Sequence, residues 1–261
     1  MDETTRILLV GLIVFLTHAL EGITGFGCTV LALPFVAMLL GIKVAVPVLA
    51  VLAWLLAGYI VVVSWKKIVW KEFCFIVTYV GCGLPIGIIL FDYLPEQALK
   101  GLLSIFMFGV GIHGFRKTLA NRGAEQALPA HPAPKNMLMR GVLFLGGIVH
   151  GAFVSGGPFV VIYASKALPE KSLFRVSLCL LWFTMNSIWM IRYTFWGTGW
   201  TSETGLTLLV TLPFLVVGTL VGDRLHHYVS EYFFRLVVYA VLFASGTILM
   251  FDITRTLFFT T

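Results

Sequence analysis

The sequence predicts an all-α, polytopic helical membrane protein, and three observations support this prediction. Hydrophobic residues make up 59% of the 261 residues and charged residues only 11%, against about 25% charged residues in ordinary soluble domains. Apolar blocks of membrane-spanning length recur between short polar connections. A glycine-rich stretch with an ionisable residue interrupts the first apolar block of each half of the chain. These features exclude a soluble globular protein.

Six apolar blocks reach the length of about 20 residues that a transmembrane helix needs. They are residues 44–63, 73–91, 97–115, 173–195, 204–222 and 232–251. The earlier block near residue 7 continues too far for a cleaved signal, so we expect residue 1 to belong to the working protein. The Lys and Arg residues behind the net charge of +6 lie at block ends, which indicates orientation in a membrane and not nucleic-acid binding.

The two halves of the chain resemble each other when one is laid on the other. EGITGFG, starting at residue 21, aligns with HGAFVSG, starting at residue 150. Gly22 then matches Gly151, and Gly27 matches Gly156. The polar, Pro-containing stretch between the halves is typical of a linker. We predict an N-terminal repeat over residues 1–116, a cytoplasmic linker over 117–136 and a C-terminal repeat over 137–261.

The opening block of each repeat can adopt two arrangements. Residues 7–41 are too many for one helix and too few for two full spans, so we expect two half-helices, over 7–20 and 28–41. These continue as a broken span or turn back as a re-entrant hairpin. Hairpins in both repeats leave 13 of the 18 Lys and Arg residues on the linker side, and broken spans only 11. Because cytoplasmic loops carry the excess of basic residues, the sequence favours hairpins.

Two hairpins have a consequence for the whole topology. Each repeat holds one hairpin and three transmembrane helices, so it crosses the membrane an odd number of times and the second repeat is inverted. We predict that both termini lie outside. The hairpin tips, at residues 21–29 and 150–158, are then expected to meet near the middle of the membrane, a common plan in secondary transporters.

The glycine-rich tips favour an anion site. Non-helical backbone at membrane depth must be buried in protein or line a water-filled cavity. New half-helices are expected to begin near Cys28 or Thr29 and near Gly157 or Pro158, with Thr29 or Ser155 as a capping hydroxyl. Their free N–H groups and positive dipole ends attract negative charge. The alternative interpretation is that the glycines only allow helices to pack closely.

The duplicated half, the glycine-rich tip near the start of each half and the basic linker resemble the TauE/SafE family, also called the toluene sulfonate uptake permease family. The resemblance covers nearly the whole chain. It implies a membrane transporter for sulfite, sulfoacetate, other organosulfonates or small organic anions. That implication agrees with the anion site expected at the tips.

Three ionisable residues near the tips are candidates for proton coupling. Glu21 carries a charge that costs about 2.5–3.5 kcal/mol at membrane depth on insertion scales, so it needs a partner or a purpose. His150 is its equivalent in the second repeat, and His18 precedes Glu21 by one helical turn. Protonation of Glu21 or His150 eases the entry of an anion. The alternative is that Glu21 braces the turn by bonding to the backbone or to His18.

Further candidates for the substrate site lie outside the tips. Asn186 is an amide in the middle of an apolar helix, where it can bond a sulfonate oxygen or hold helices together. Trp54 and Trp182 are deep enough to form an apolar wall. The full set of predicted substrate-binding residues is Gly25, Gly27, Cys28, Thr29, Trp54, Ser155, Gly156, Gly157, Trp182 and Asn186.

The function predicted from these features is secondary active transport of a small sulfur-containing anion, with proton coupling, across what we expect to be a bacterial inner membrane. An anion channel and a transporter of small carboxylates are the alternatives. We predict no enzymatic activity, because no catalytic constellation or phosphate-binding loop is visible. The four cysteines lack metal-ligand spacing, so neither a metal nor a cofactor is expected, and the partners are the anion, the proton and the lipid bilayer.

Overall fold

The protein is a polytopic helical membrane protein. A computed structural model describes residues 3–24, 27–120, 135–168, 170–197, 199–225 and 239–251. The helices of the first half are α1 (Glu3–Thr24), α2 (Cys28–Leu40), α3 (Ile42–Ser64), α4 (Trp70–Tyr93) and α5 (Glu96–Ala120), with a 3₁₀ turn at Trp65–Lys67. Those of the second half are α6 (Met137–Phe153), α7 (Gly157–Ala167), α8 (Lys171–Trp196), α9 (Ser202–Leu225) and α10 (Tyr239–Phe251). These residues include no strand.

Six of the described helices are long and apolar enough to cross a membrane, namely α1, α3, α4, α5, α8 and α9. The last five confirm the helices predicted over residues 44–63, 73–91, 97–115, 173–195 and 204–222. For the predicted helix over 232–251, the structure describes residues 239–251 as helical, and the remainder lies outside the described residues.

The first helix is longer than the half-helix predicted over residues 7–20, and that prediction is wrong. α1 has 22 residues and continues through Glu21 and Gly22. Glycine within a helix costs about 1 kcal/mol relative to alanine, but Gly22 lies where α1 meets α9. A Cβ added there would stand 3.2 Å from the Cα of Gly222, so close helix packing explains this glycine.

Two interruptions separate α1 from α2 and α6 from α7. α2 begins at Cys28 after Gly27, whose φ is 107°, a left-handed conformation that glycine adopts without steric cost. α7 begins at Gly157 with Pro158 in its first turn, where a missing N–H costs nothing. Both beginnings agree with the prediction. Residues 25 and 26, between α1 and Gly27, lie outside the described residues.

Contacts at one end of the helix bundle, which we call the linker end, give the direction of several helices. Lys135, just before α6, forms an ion pair with Glu72 at the beginning of α4, with 2.9 Å between Nζ and Oε1. The N–H of Val69, just before α4, donates to Ser177 Oγ near the beginning of α8. The helices α4, α6 and α8 therefore all begin at the linker end.

Contacts at the opposite end, which we call the distal end, give the direction of three further helices, α3, α9 and α1. Lys43 at the beginning of α3 donates to the carbonyl of Phe91 near the end of α4, and Arg192 near the end of α8 forms an ion pair with Asp92. α9 begins shortly after α8 ends. Arg6 of α1 pairs with Glu203 of α9 at 3.1 Å, so α1 also begins at the distal end.

The two interrupted helix pairs approach the bundle centre from opposite ends. The hydroxyl of Tyr163 in α7 donates to Glu72 Oε2 at 2.6 Å, and the same carboxylate binds Lys135 before α6. The pair α6 and α7 therefore leaves the linker end and returns to it. α1 begins at the distal end, and α2 runs through Gly41 into the distal beginning of α3.

Helix packing follows a reciprocal pattern across the two halves. α1 packs against α9, α4 against α6, and α3 against α8. Two glycines show how closely these helices approach each other: a Cβ on Gly87 would overlap the carbonyl of Ile148, and a Cβ on Gly222 would overlap the carbonyl of Ala19. Small residues let helices pack backbone to backbone in membrane bundles, so these glycines bring α4 to α6 and α9 to α1.

Candidate functional site

The interruptions between α1 and α2 and between α6 and α7, which we call the two tips, touch each other at the centre of the bundle. The hydroxyl of Thr29, in the first turn of α2, donates to the backbone carbonyl of Val154 at 2.7 Å. Val154 follows α6 directly and has a φ of 54°, which is uncommon for a β-branched residue. The hydrogen bond to Thr29 satisfies the carbonyl at this strained position.

A small cavity lies where the tips meet. It has room for roughly one water molecule, so a larger ligand requires movement of its walls. The lining residues come from both tips and from α3 and α8: Glu21, Gly27, Thr29, Val30, Ala53, His150, Val154, Gly157, Trp182 and Asn186. Seven of these ten, all except Val30, Ala53 and Val154, are among the residues predicted from the sequence.

Glu21 caps the N-terminus of α2. Its Oε2 accepts the N–H of Cys28 at 3.0 Å, and the side chain is buried in the last turn of α1. We expected a hydroxyl of Thr29 or Ser155 in the capping role, and that expectation is wrong. Neither α2 nor α7 has a side-chain cap from its N-cap residue. Thr29 instead donates across to Val154, and Ser155 Oγ donates to the carbonyl of Phe153.

His150 and Asn186 form a hydrogen-bonded pair on the second tip's side of the cavity. His150 Nε2 lies 2.9 Å from Asn186 Oδ1. Because an amide oxygen only accepts, Nε2 carries the proton. The ring of Trp182 stacks on the imidazole with 5.3 Å between centroids, which holds the ring in place. His150 and Asn186 are each 1% exposed, yet Asn186 Nδ2 and His150 Nδ1 have no hydrogen-bond partner.

His18 lies one turn before Glu21 but does not line the cavity. Its Nδ1 contacts the carbonyl of Val14 at 2.8 Å and the hydroxyl of Thr17 at 3.4 Å. The ring is therefore bonded to its own helix and contributes no group to the site.

Several other predicted residues lie beside the cavity rather than on its wall. Trp54 stacks on Phe183 with 5.0 Å between centroids and donates through Nε1 to Ser187 Oγ at 2.8 Å, so it belongs to the packing of α3 on α8. Gly156 packs closely on Gly146. Cys28 contributes its backbone N–H to Glu21. Gly25 lies outside the described residues.

Sequence reasoning missed three apolar cavity residues, Val30, Ala53 and Val154. One signal could have found Ala53, because the alignment that lays Glu21 on His150 also lays Ala53 on Trp182. Both residues line the cavity, although they differ greatly in size. Nothing in the sequence pattern distinguishes Val30 or Val154 from the neighbouring apolar residues.

The chemistry of the cavity suits a small polar ligand with oxygen acceptors. The amide N–H groups of Asn186 have no acceptor. The N–H of Cys28 donates to Glu21 Oε2, an acceptor that a ligand oxygen could replace. In the part of the chain that the structure describes, no group of three or more His, Cys, Asp and Glu residues is arranged to hold a metal ion.

Comparison with known proteins agrees with this picture at the level of the family. The model of the family described as "Sulfite exporter TauE/SafE" matches residues 10–249, which is nearly the whole chain. No curated protein and no solved structure matches the chain.

Proposed function

The chain belongs to the TauE/SafE family of membrane transporters, and on that premise we propose that it is a secondary active transporter of a small sulfur-containing anion. Sulfite and short organosulfonates are the proposed substrates, held between the two tips near the middle of the membrane. Members of this family are transporters and not enzymes. The protein is an integral, multi-pass membrane protein, and we propose the bacterial inner membrane as its location.

The observation that carries the proposal is a buried, unpartnered donor in a cavity between two helix beginnings. Unsatisfied polar atoms of a buried side chain cost about 1–3 kcal/mol each, so Asn186 Nδ2 is expected to have a function. An oxyanion accepts from such a donor and from the N–H groups of a helix N-terminus. Apolar walls on the other sides exclude water, which strengthens these hydrogen bonds.

We also propose that the two halves, residues 1–116 and 137–261, are inverted repeats joined by a cytoplasmic linker over 117–136. Contacts between equivalent positions support this relation. A Cβ on Gly111 would stand 2.5 Å from the N of Phe243, and a Cβ on Gly246 would stand 2.6 Å from the N of Phe108. The alignment that lays Gly111 on Gly246 also lays Phe108 on Phe243. The first contact, between Gly111 and Phe243, is therefore equivalent to the second, between Gly246 and Phe108. Two units related by a two-fold axis are expected to make such paired contacts.

The same relation applies to the pairs α1 with α9 and α4 with α6. A Cβ on Gly83 would overlap the carbonyl of Phe144, and a Cβ on Gly218 would approach the carbonyl of Phe15 to 2.6 Å. Gly83 corresponds to Gly218 in the alignment of the later helices, and Phe15 corresponds to Phe144 in the alignment of the tips. The hairpin tips then enter from opposite sides, an arrangement that permits alternating access to a central site.

Proton coupling is part of the proposed function because ionisable residues line the site. Glu21 and His150 are the proposed coupling residues, since both line the cavity. His18, which is bonded to its own helix, is the weakest of the three candidates and at most supports Glu21 from the preceding turn.

The proposal is tested by thermal-shift measurements on the purified protein with sulfite, sulfate, methanesulfonate, toluenesulfonate and acetate. A ligand that binds only the folded state raises the apparent melting temperature, and we expect sulfite or a short sulfonate to do so. Stabilisation by acetate alone would favour the alternative of a carboxylate transporter, and stabilisation by no anion would contradict an anion site.

Reconstitution separates a carrier from a channel, the other alternative. In proteoliposomes, we expect uptake of ³⁵S-labelled sulfite that saturates with concentration and responds to a proton gradient, with protein-free liposomes as the control. Large unitary currents in planar bilayers would instead support a channel with the tips as its selectivity filter.

A further inference from the structure

The carboxylate of Glu21 occupies the place where an anionic ligand is expected to bind. Its Oε2 accepts the N–H of Cys28 at 3.0 Å, the first residue of α2. This N–H group is one of those that a helix leaves unpaired at its beginning. The positive end of the helix dipole lies at the same place and attracts negative charge. The N-terminus of α2 is therefore already bound to a carboxyl oxygen of the protein itself.

A second set of polar atoms faces the same cavity without a partner. Asn186 lines the cavity together with Glu21, is 1% exposed, and has no acceptor for its Nδ2. His150 Nδ1 is likewise unpaired. A small oxyanion between α2 and α8 can accept from both Cys28 N–H and Asn186 Nδ2, but only if the Glu21 carboxylate gives up the first of these donors.

The charge on Glu21 has no cation in hydrogen-bond contact in the described part of the chain. Arg175 of α8 interacts electrostatically with the Glu21 carboxylate, but its guanidinium donates a hydrogen bond to Asp223 of α9 at 2.8 Å. The thiols of Cys28 and Cys179 also interact with the carboxylate. His150 on α6 lines the same cavity, whereas His18, one turn earlier on α1, is bonded to its own helix.

A substrate anion next to an ionised Glu21 would place two negative charges in one water-sized cavity. Like charges at that separation strongly disfavour each other where little water screens them. The conflict is removed when Glu21 takes up a proton, because the neutral carboxyl group both loses its charge and becomes a poorer acceptor for the Cys28 N–H.

Resting on the proposed function, we propose that Glu21 is a tethered competitor of the substrate, so that its ionised carboxylate and the substrate anion exclude each other at the N-terminus of α2. Each anion then binds together with one proton, which resides on Glu21. Of the two coupling residues proposed above, Glu21 alone then carries the coupled proton, and His150, bonded through Nε2 to Asn186, orients the amide. Release of the anion returns the proton and restores the bond between Glu21 and Cys28.

This competition has a measurable consequence for affinity. When binding takes up one proton, the dissociation constant rises tenfold for each pH unit over the range where Glu21 is ionised in the free protein. Methanesulfonate and sulfate keep a constant charge between pH 5 and 8, so a pH dependence measured with them belongs to the protein. Glu21→Gln keeps an oxygen that accepts the Cys28 N–H but carries no charge, so its affinity is expected to be the same at every pH in this range.

The experiment measures binding of methanesulfonate and of sulfate to the purified full-length protein by calorimetry at pH 5, 6, 7 and 8. The variants are Glu21→Gln, His150→Gln and, as a matched control, Glu203→Gln, a carboxylate at the distal end that pairs with Arg6. We expect the pH slope in wild type, His150→Gln and Glu203→Gln, and its loss in Glu21→Gln. At each pH where the slope is tenfold per unit, proton uptake in weak buffer should be one per bound anion in wild type and zero in Glu21→Gln.

The possible outcomes separate this inference from the proposed function. Binding with the same affinity at every pH in wild type would overturn the competition and leave an anion transporter. Loss of the slope in His150→Gln, with retention in Glu21→Gln, would move the coupled proton to His150 and also overturn it. If neither anion bound to wild type or Glu21→Gln at any pH, the anion site itself would be refuted. Size-exclusion profiles of all variants verify that each is folded.

Discussion

Glycines that look alike in the sequence have different structural roles in and beside the two tips. Gly22 and Gly151 match each other when the two halves of the sequence are aligned, and both lie inside helices, where a Cβ would contact the backbone of a neighbouring helix. Gly27 ends the first interruption in a left-handed conformation. The alternative interpretation, that the glycines allow close helix packing, therefore describes Gly22 and Gly151, whereas Gly27 lies at the interruption between two helices.

Gly27 offers a way to disturb the cavity without disrupting the fold. A Cβ at this position meets nothing within 4 Å, although its φ of 107° is unfavourable for alanine. We expect Gly27→Ala to lower the free energy of unfolding by about 1–2 kcal/mol and to weaken anion binding, because the added methyl group stands at the cavity wall. Thermal-shift titration with sulfite measures both effects.

Gly156, which matches Gly27 in the alignment of the two halves, is expected to respond differently in the same assay. A Cβ there would overlap the carbonyl of Gly146 and approach His150 Cβ to 2.9 Å. We therefore expect Gly156→Ala to force α6 and α7 apart and to lower stability by about 1–3 kcal/mol or more. A Gly156→Ala protein as stable as wild type would contradict the close contact between these helices.

Asn186 supplies the free donor of the site, and its removal tests the role of that donor. A hydrogen bond to a charged group contributes about 1.5–3 kcal/mol, so we expect Asn186→Ala to weaken sulfite binding roughly 10- to 150-fold. The matched control is Ser187→Ala on the next position of α8, which loses its bond to Trp54 outside the cavity lining. Equal losses of sulfite affinity in the two variants would contradict a role of Asn186 in binding the anion.

At the scale of elements, the half-helices α2 and α7 are held by the long helices around them. α2 has only 13 residues and α7 only 11, lengths at which isolated helices are marginal. α2 packs between α1 and α3, and Tyr163 fastens α7 to Glu72 of α4. Their stability therefore comes from tertiary packing, which also determines where their N-termini point.

The contact of α4 with α6 can be tested with two glycines of the same helix. A Cβ on Gly87 would overlap the carbonyl of Ile148, whereas a Cβ on Gly81 meets nothing within 4 Å. We expect Gly87→Leu to prevent a monodisperse, folded protein, because the clash is with backbone that cannot rotate away. Gly81→Leu should change the melting temperature little. Fluorescence-detected size exclusion compares the two, and tolerance of both would contradict the packing.

At the scale of the whole molecule, α8 connects the two ends of the bundle to the site between them. Near its beginning Arg175 pairs with Asp223 of α9 at 2.8 Å, and near its end Arg192 pairs with Asp92 of α4. Asn186 lies between these anchors. The helix that presents the amide to the cavity is thus attached at both ends of the bundle to helices of different halves.

The proposed topology predicts which positions are accessible from which side of the membrane. In a variant whose native cysteines are replaced by alanine, Arg116→Cys and Lys166→Cys should react with an impermeant maleimide from the cytoplasm, and Trp200→Cys from outside. The three positions are exposed at helix ends. If α6 and α7 formed a broken span instead, Lys166→Cys would react from the side opposite to Arg116→Cys.

Much of the fold could be predicted because its signals are local. The five blocks that became α3, α4, α5, α8 and α9 are apolar over a full span, and lipid demands this of any transmembrane helix. The length of α1 could not be predicted in the same way. Whether Gly22 breaks a helix or packs within one depends on Gly222, which belongs to a helix in the other half of the chain.

The site was predictable in its composition but not in its geometry. An acidic and an imidazole side chain in apolar blocks are costly, so Glu21 and His150 were conspicuous, and both line the cavity. Trp54 and Trp182 looked equally suitable as walls. Only Trp182 faces the cavity, because the contact with Phe183 and Ser187 orients Trp54 along the interface of α3 and α8.

The sequence by itself therefore determined the class of the protein, the interruptions of the first block in each half and the polar residues that had to be explained. Hydrophobicity, chain length and glycine content act over short distances along the chain, which is why they can be read without a structure. Only the tertiary structure decided that Glu21 caps α2 and that the amide nitrogen of Asn186 has no acceptor, because hydrogen-bond partners depend on how distant helices are rotated and brought together.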